Sequence, residues 1–297
     1  MLNVLSVDVE EYFHVEAFAA QIPYQSWDQY TPRVERNVER LLELFARYGV
    51  RGTFFTLGWV SERMPHLVRK IAEAGHEVGC HSYAHRRLHR LTPDQFRDDL
   101  RAARSSLMEQ VQKPVVCFRA PSFSIVKKTL WAFDILAEEG FEIDSSVFPV
   151  HHDNYGMPKA QRSPGWYVTP AGNAIFEFPP STVRLMGNNL GVGGGGYLRL
   201  FPYALTRWAL RRLNEKERRP AMVYVHPWEI DPAQPRIPAP LKSRLRHYTN
   251  LATMETKIES LLRDFRFAPL SEVCQLLDVY HKNARHPGTG EVIRLTA

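Results

Sequence analysis

Short apolar runs alternate with helix-length amphipathic stretches along most of this chain, and that alternation restricts its fold more than any other feature. In the first run, LNVLSVDVEEYFH, Leu5, Val7 and Val9 alternate with Ser6, Asp8 and Glu10. A strand there has one apolar face and one acidic face, and Glu11 points away unless the strand has already ended. Thr31 as N-cap with Pro32 after it predicts a helix carrying Val34, Val38, Leu41, Leu42 and Phe45, closed by Gly49. RGTFFTLG reads as the second strand, 65–74 as a helix stopped by Gly75, and EVGC as the third strand. Thr92, Pro93 and Gln95 open a further helix through a capping box; the strand VVCF, a helix over 131–139 ended by Gly140, and FEIDSS follow. Repeated βα units imply an α/β fold with a mostly parallel sheet.

With 297 residues and 44% hydrophobic content, the chain suits one large domain rather than a repeat or disordered protein. Its three cysteines, Cys80, Cys117 and Cys274, are odd in number and scattered, which predicts no disulfide framework and fits a reducing compartment. Asp8 and Glu10 interrupt the first apolar run, so no signal peptide is expected there, and no stretch reaches the ~20 apolar residues of a membrane span. The expected location is the cytoplasm, with peripheral contact at the inner membrane face. A formal charge of +6 favours meeting anionic lipid or an acidic glycan. Much of that charge lies over 206–220, where Leu205, Trp208, Leu210 and Leu213 give the period of an ordinary solvated helix. No interleaving of aromatic and basic residues points to nucleic acid.

The chemistry is concentrated in four places. His81 and His85 stand at i and i+4, a spacing that on a helical turn aims both imidazoles at one divalent metal. The spacing alone is commoner among surface or core histidines, and a site needs a third ligand. Glu10 supplies it, leaving Asp8 as the base, because paired acids beside a metal divide coordination from proton transfer. Arg119 follows an apolar run and precedes Pro121, where a guanidinium can hold Asp8 ionised. His226 ends the run AMVYV, the position at which barrel enzymes carry catalytic groups. Cys80, adjacent to His81, reads as a small buried residue.

These residues resemble the polysaccharide deacetylases of carbohydrate esterase family four, the NodB-homology domain. SVDVE at 6–10, HSYAH, FRAPS, IDSS at 143–146 and VYVHP look like its five motifs in order over residues 1 to about 230. The resemblance implies a distorted (β/α) barrel, seven-stranded, with a catalytic domain over 1–232; beyond it the sequence reads as an extension over 233–282 packed on the barrel, with helices over about 254–265 and 270–277, and a loose tail over 283–297. The resemblance also implies roles: Asp8 the catalytic base, Glu10, His81 and His85 the ligands of Zn2+ or of Co2+, Ni2+ or Mn2+, Arg119 the residue positioning the base, and His226 the general acid. The family's adjacent acid pair is here Asp-Val-Glu, which keeps Glu11 open as the alternative ligand. HVEAF, GGGGYLR, HPWEID and RHYTN are similar to a branch from exopolysaccharide loci associated with exosortases.

The implied reaction is metal-assisted attack of water on an acetamide carbonyl, with the Ser122 N–H helping to hold the oxyanion and His226 protonating the amine. Because an amine leaves poorly unless protonated, N-deacetylation of an N-acetylhexosamine glycan is favoured over O-deacetylation. Asp144, Ser145, Tyr197, Trp228 and Glu229 are further candidates for substrate contact, with Arg246, His247 and Tyr248 weaker ones. The Gly-rich stretch 191–199 lacks a Walker lysine; it reads as close backbone approach to a sugar, a lid or a linker. Two rivals remain at this level: an allantoinase-like amidase and a catalytically inactive glycan-binding module.

Overall fold

The computed structural model describes residues 1–152, 155–169, 171–277 and 293–294. Its strands are β1 (Leu2–Val9), β2 (Thr53–Thr56), β3 (Glu77–Cys80), β4 (Cys117–Phe118), β5 (Ile143–Asp144), β6 (Gly165–Val168), β7 (Ala174–Glu177), β8 (Thr182–Leu185), β9 (Asn188–Gly191), β10 (Met222–Val225), β11 (Arg266–Ala268) and β12 (Ile293–Arg294). The α-helices are α1 (Val34–Arg47), α2 (Gly58–Arg63), α3 (Pro65–Glu73), α4 (Pro93–Val111), α5 (Ala132–Glu138), α6 (Gly196–Leu200), α7 (Tyr203–Arg211), α8 (Leu241–Tyr248), α9 (Leu251–Asp264) and α10 (Leu270–Gln275).

Seven strands run parallel in the order β10-β1-β2-β3-β4-β5-β7. This is the expected α/β architecture, a distorted (β/α) barrel with a helical C-terminal extension. Leu5, Val7 and Val9 face outward into the main hydrophobic cluster with Val38, Leu41 and Phe45 of α1. Val4, Phe55, Cys117, Phe176 and Met222 form a second cluster inside the barrel. Each such apolar side chain contributes about 1.5–3 kcal/mol on full burial.

No ladder joins β7 directly to β10. Irregular chain fills that gap: the Met222 amide donates to Ser181 Oγ at 2.7 Å, the Tyr224 amide to the Gly193 carbonyl at 2.7 Å, and the Gly195 amide to the Tyr224 carbonyl at 3.0 Å. Gly194, at φ +141°, passes so close that a Cβ there would lie 1.8 Å from the Tyr224 carbonyl oxygen. The Gly-rich stretch is therefore the seam of the barrel rather than a lid or linker.

Two expectations about helices are corrected. The helix predicted from Thr31 and Pro32 starts at Val34, and its cap comes from outside: Glu11 Oε1 accepts from the Arg33 and Val34 amides at 2.7 and 2.8 Å. Trp208 lies on the exposed side of α7, where the Arg212 guanidinium stands 5.9 Å from its ring, while Leu210 and Leu213 are buried.

Residues 233–277 are built into the barrel. β11 pairs in parallel with the first half of β1, below the stretch that takes β2. Leu251, Met254, Ile258, Leu261 and Leu262 of α9 belong to the main cluster. α8 has no counterpart among the helices expected in the extension. Most of the expected tail over 283–297 lies outside the described residues; the backbone of Ile293 and Arg294 pairs with Tyr167 and Val168.

Candidate active site

Asp8, His81, Arg119 and His226 lie at or just past the C-terminal ends of β1, β3, β4 and β10, so strands distant in sequence deliver them to one end of the barrel. Asp8, His81 and His226 open into a cleft of about 860 Å³ that Glu10, His85, Ser122, Tyr197 and Trp228 also help to line, with Arg119 buried behind it.

Arg119 is wholly buried and organises the base. Its Nη1 donates to Asp8 Oδ1 at 2.6 Å and to Ser6 Oγ at 2.8 Å, which confirms that Ser6 and Asp8 share one face of β1. Its Nε donates to the Ser145 carbonyl at 3.1 Å, its Nη2 to Ser145 Oγ at 2.9 Å, and the guanidinium lies 4.2 Å from the Phe55 ring centre. A planar donor fork held on several sides fixes one Asp8 oxygen and leaves the other toward the cleft.

Glu10, His81 and His85 present ligand atoms that all lie within 4.8 Å of one another, and all three side chains are buried. Sequence spacing suggested a helical turn for the histidines, but 81–87 is a loop. Ser82 and His85 take left-handed backbone, at φ 65° and 51°, and that turn, not an i,i+4 helix face, brings the rings to 5.3 Å between centres. His81 Nδ1 lies 2.7 Å from the Arg119 carbonyl, which can only accept; Nδ1 therefore carries the proton and Nε2 offers its lone pair. Burial pushes the His81 pKa down to about 4, so the ring is neutral.

Glu10 Oε2 is buried with no hydrogen-bond partner, 2.8 Å from His85 Nε2. Desolvation opposes ionisation of Glu10, but the electrostatic pull of His85, with His226 and His81, outweighs it and holds the carboxyl well below its usual range. Two imidazoles and an ionised carboxylate with an unmatched oxygen fit a divalent cation that keeps a further position open. Glu11, the alternative ligand, is turned away to the α1 cap. Cys80 packs into the outer hydrophobic cluster, as expected.

His226 faces the same point, its Nε2 3.5 Å from Glu10 Oε1 and 3.8 Å from Asp8 Oδ2. Glu229 Oε2 lies 3.1 Å from its Nδ1 and accepts from its backbone amide at 3.0 Å, while Glu229 Oε1 takes the Arg199 Nε at 2.7 Å. Burial alone would lower the His226 pKa; the Glu229 charge and hydrogen bond, with Glu10 and Asp8, overcome it and raise the value to about 9. The imidazole is thus protonated at neutral pH.

The expected substrate-contact residues divide. Ser122, in a left-handed turn at φ 53°, and Tyr197 line the cleft. Asp144 and Ser145 do not: Asp144 accepts from Ser146 N and Oγ at 2.9 and 2.6 Å, and Ser145 is committed to Arg119 and the Phe178 carbonyl. Ser145 turns inward to Arg119, whereas Asp144, one residue earlier, turns to the opposite face of the sheet beside Ser146 and Glu177. Glu229 is likewise fully buried and spoken for by His226 and Arg199. Trp228 lines the cleft, but its indole N–H donates to Glu10 Oε1 at 3.2 Å and its ring stacks on His247 at 4.1 Å, so it orients a ligand of the cluster. His247 is buried with its Nε2 2.6 Å from Gln234 Oε1, Tyr248 accepts from the Ile237 amide, and Arg246 reaches the cleft. The sequence reading missed Arg87 and Arg199, along with the wall made by Phe123, Tyr155 and Tyr224. Only the tertiary fold marks these.

Residues 20–140 match the family model described as polysaccharide deacetylase, and residues 145–275 match one described as a domain of unknown function, DUF3473. Residues 20–140 are thus identified as a polysaccharide deacetylase segment, followed by the DUF3473 segment. Among curated relatives, a peptidoglycan deacetylase of Helicobacter pylori is 30% identical over 119 residues, 40% of this chain and 39% of that protein. The peptidoglycan-N-acetylmuramic acid deacetylase PdaA of Bacillus subtilis is 34% identical over 84 residues, 28% of each chain. The matched stretches thus span well under half of those relatives. At the level of fold, a protein assigned to the polysaccharide deacetylases from Mycobacterium smegmatis superposes with a TM-score of 0.60 at 20% identity, covering 100% of this chain and 93% of that one. The Puue allantoinase superposes at 0.59 and 16%, covering 97% and 92%.

Proposed function

We propose that this chain is a metal-dependent hydrolase that removes N-acetyl groups from N-acetylhexosamine units of an exopolysaccharide or of its lipid-linked precursor. One observation carries the reading: Asp8 and a protonated His226 stand 3.8 Å apart beside the Glu10–His81–His85 cluster, a base and an acid at one reacting centre. A divalent cation held by Glu10, His81 and His85, with Zn2+ the first choice, would polarise the acetamide carbonyl and acidify water. Asp8, fixed by Arg119, takes the proton from the attacking water. The turn at Ser122 stands beside the carbonyl oxygen. His226 then gives its proton to the departing amine, and Glu229 stabilises the charge it carries meanwhile.

That acid matters more for an amide than for an ester, which favours N- over O-deacetylation. An inactive binding module has no use for an oriented base beside a protonated acid. Among the described residues no helix is long and apolar enough to cross a membrane. The charge of +6 supports work on a precursor at the inner membrane face.

Acetate release decides the matter. N-acetylated oligosaccharides should yield acetate and allantoin should not be opened; the reverse result would assign the allantoinase-like activity. Asp8→Asn should lower kcat by about 10³-fold or more while the bound metal stays, since general base catalysis is worth about 10²–10⁴ and Arg119 loses its charged partner. His81→Ala should instead lose the metal by elemental analysis, and an unchanged metal content would refute the ligand set.

A further inference from the structure

Asp144, Ser145 and Ser146 follow one another at the end of β5, all wholly buried, and the two serines reach two different parts of the site. Ser145 Oγ accepts from Arg119, the residue that fixes the base. Ser146 Oγ accepts instead from the Ala120 amide at 2.7 Å. Successive side chains of extended backbone point to opposite faces, so adjacent serines hold Arg119 and Ala120 from two sides.

Ala120 is the entry to a constrained turn. The Phe123 amide donates back to the Ala120 carbonyl at 3.0 Å, and the Ser124 amide to the Pro121 carbonyl at 3.2 Å. Ser122 and Phe123 both take left-handed backbone, at φ 53° and 51°, which residues other than glycine keep only where their surroundings hold them. Ser122 lies on the cleft wall, and among the described residues its amide donates to no backbone carbonyl. Ser146 is itself locked. Its hydroxyl donates to Asp144 Oδ1 at 2.6 Å and its amide to Asp144 Oδ2 at 2.9 Å, so the hydroxyl proton is committed and only a lone pair is left for Ala120. Asp144 lies opposite Glu177 in the β5–β7 ladder, and Glu177 Oε1 accepts from the Val147 amide at 3.0 Å. Burial and the neighbouring Asp144 push the Glu177 carboxyl well above its ordinary range, so the pair keeps a proton and one charge rather than two.

We propose that Ser146 is a positioning residue for amide hydrolysis in this cleft: through the Ala120 amide it sets the turn over 120–123 so that the Ser122 N–H meets the oxyanion, with Asp144 and Glu177 as its anchor. The use made of the turn rests on the deacetylase reading; the anchoring of the turn does not. A donor aimed at an oxyanion is worth about 10²–10³ in rate, and a misplacement of about 1 Å can forfeit much of that.

The test compares Ser146→Ala and Ser146→Thr in the metal-loaded chain by three measurements. These are acetate release from an N-acetylglucosamine tetrasaccharide, opening of allantoin, and hydrogen exchange of the 119–124 segment read by mass spectrometry. Ser146→Ala should lower kcat about 10- to 100-fold with KM within about twofold, because the lost alignment matters in the transition state and not in substrate binding. Metal content and both limbs of the pH profile should stay, since Asp8, His226 and the ligands are untouched. The 119–124 segment should exchange faster while β1 and β3 keep their protection. Ser146→Thr retains the hydroxyl and should recover most of kcat. Should Ser146→Ala fail to fold, Asp144→Asn, which sets an amide against one of the two Ser146 donors, should show the same split between kcat and KM. Unchanged exchange at 119–124, or a fall in kcat that tracks a loss of metal, overturns the proposal. The same loss of kcat on allantoin, with no acetate from the tetrasaccharide, would keep the role of Ser146 and reject the deacetylase; acetate released by Ser146→Ala at the parent rate would do the reverse.

Discussion

Glu229 decides whether His226 can act as an acid. Its carboxylate is wholly buried between the imidazole and Arg199, and it is the main reason that a buried histidine stays protonated with a pKa of about 9. Because the proton must be on His226 for it to be donated, kcat should fall as pH rises through about 9. In Glu229→Gln the shape is kept and the charge is lost, so burial then dominates and lowers the His226 pKa. The descending limb should move to lower pH, and kcat at neutral pH should drop about 10²-fold with KM nearly unchanged. A limb that stays where it was would show that Glu229 only packs. At this scale the sequence was informative for Asp8, Glu10, His81, His85, Arg119 and His226, since residue type, order and strand-end position jointly restrict them. It was poor for Asp144, Ser145 and Glu229. Their neighbourhood in the chain is right, yet the face they turn to is set by contacts with Arg119, Ser146 and Arg199 that no local pattern encodes.

Elements with a local signal came out nearly as the sequence suggests. The capping box of Thr92 and Gln95 opens α4, and Gly49, Gly75 and Gly140, at φ 61°, 83° and 80°, follow the ends of α1, α3 and α5. Elements specified from afar did not. The α1 cap is Glu11, more than twenty residues upstream, and the left-handed turn that pairs the two histidines leaves no trace in their spacing. The glycine run at 193–195 was ambiguous because what it passes, β10, lies some thirty residues later. Its role yields a sharp contrast between two substitutions. Gly194→Ala sets a Cβ against the Tyr224 carbonyl and should unfold or severely destabilise the barrel, whereas Gly187→Ala, with open space around it at φ +82°, should cost about 1 kcal/mol. Thermal melts of both variants check this, and equal shifts would mean that the seam is not tightly closed.

For the whole molecule, the question is whether the extension beyond residue 232 is an attachment or part of the folding unit. α9 alone places Leu251, Met254, Ile258, Leu261 and Leu262 in the main cluster, each under one-tenth exposed. At about 1.5–3 kcal/mol per side chain, exposing them would remove roughly 7–15 kcal/mol, as much as the entire stability of a typical domain. β11 adds a ladder along the first half of β1, the strand that carries Asp8, and His247 of α8 stacks on the tryptophan that orients Glu10. Removing the extension thus strips both the floor beneath the first strand and the support behind the metal cluster. The intact chain should melt in a single cooperative transition, and a chain ending at residue 232 should be insoluble or lack a thermal transition. If the shortened chain instead melted cooperatively and still bound metal, the extension would be a separable addition, and the barrel would owe its stability to the seven strands and their helices alone.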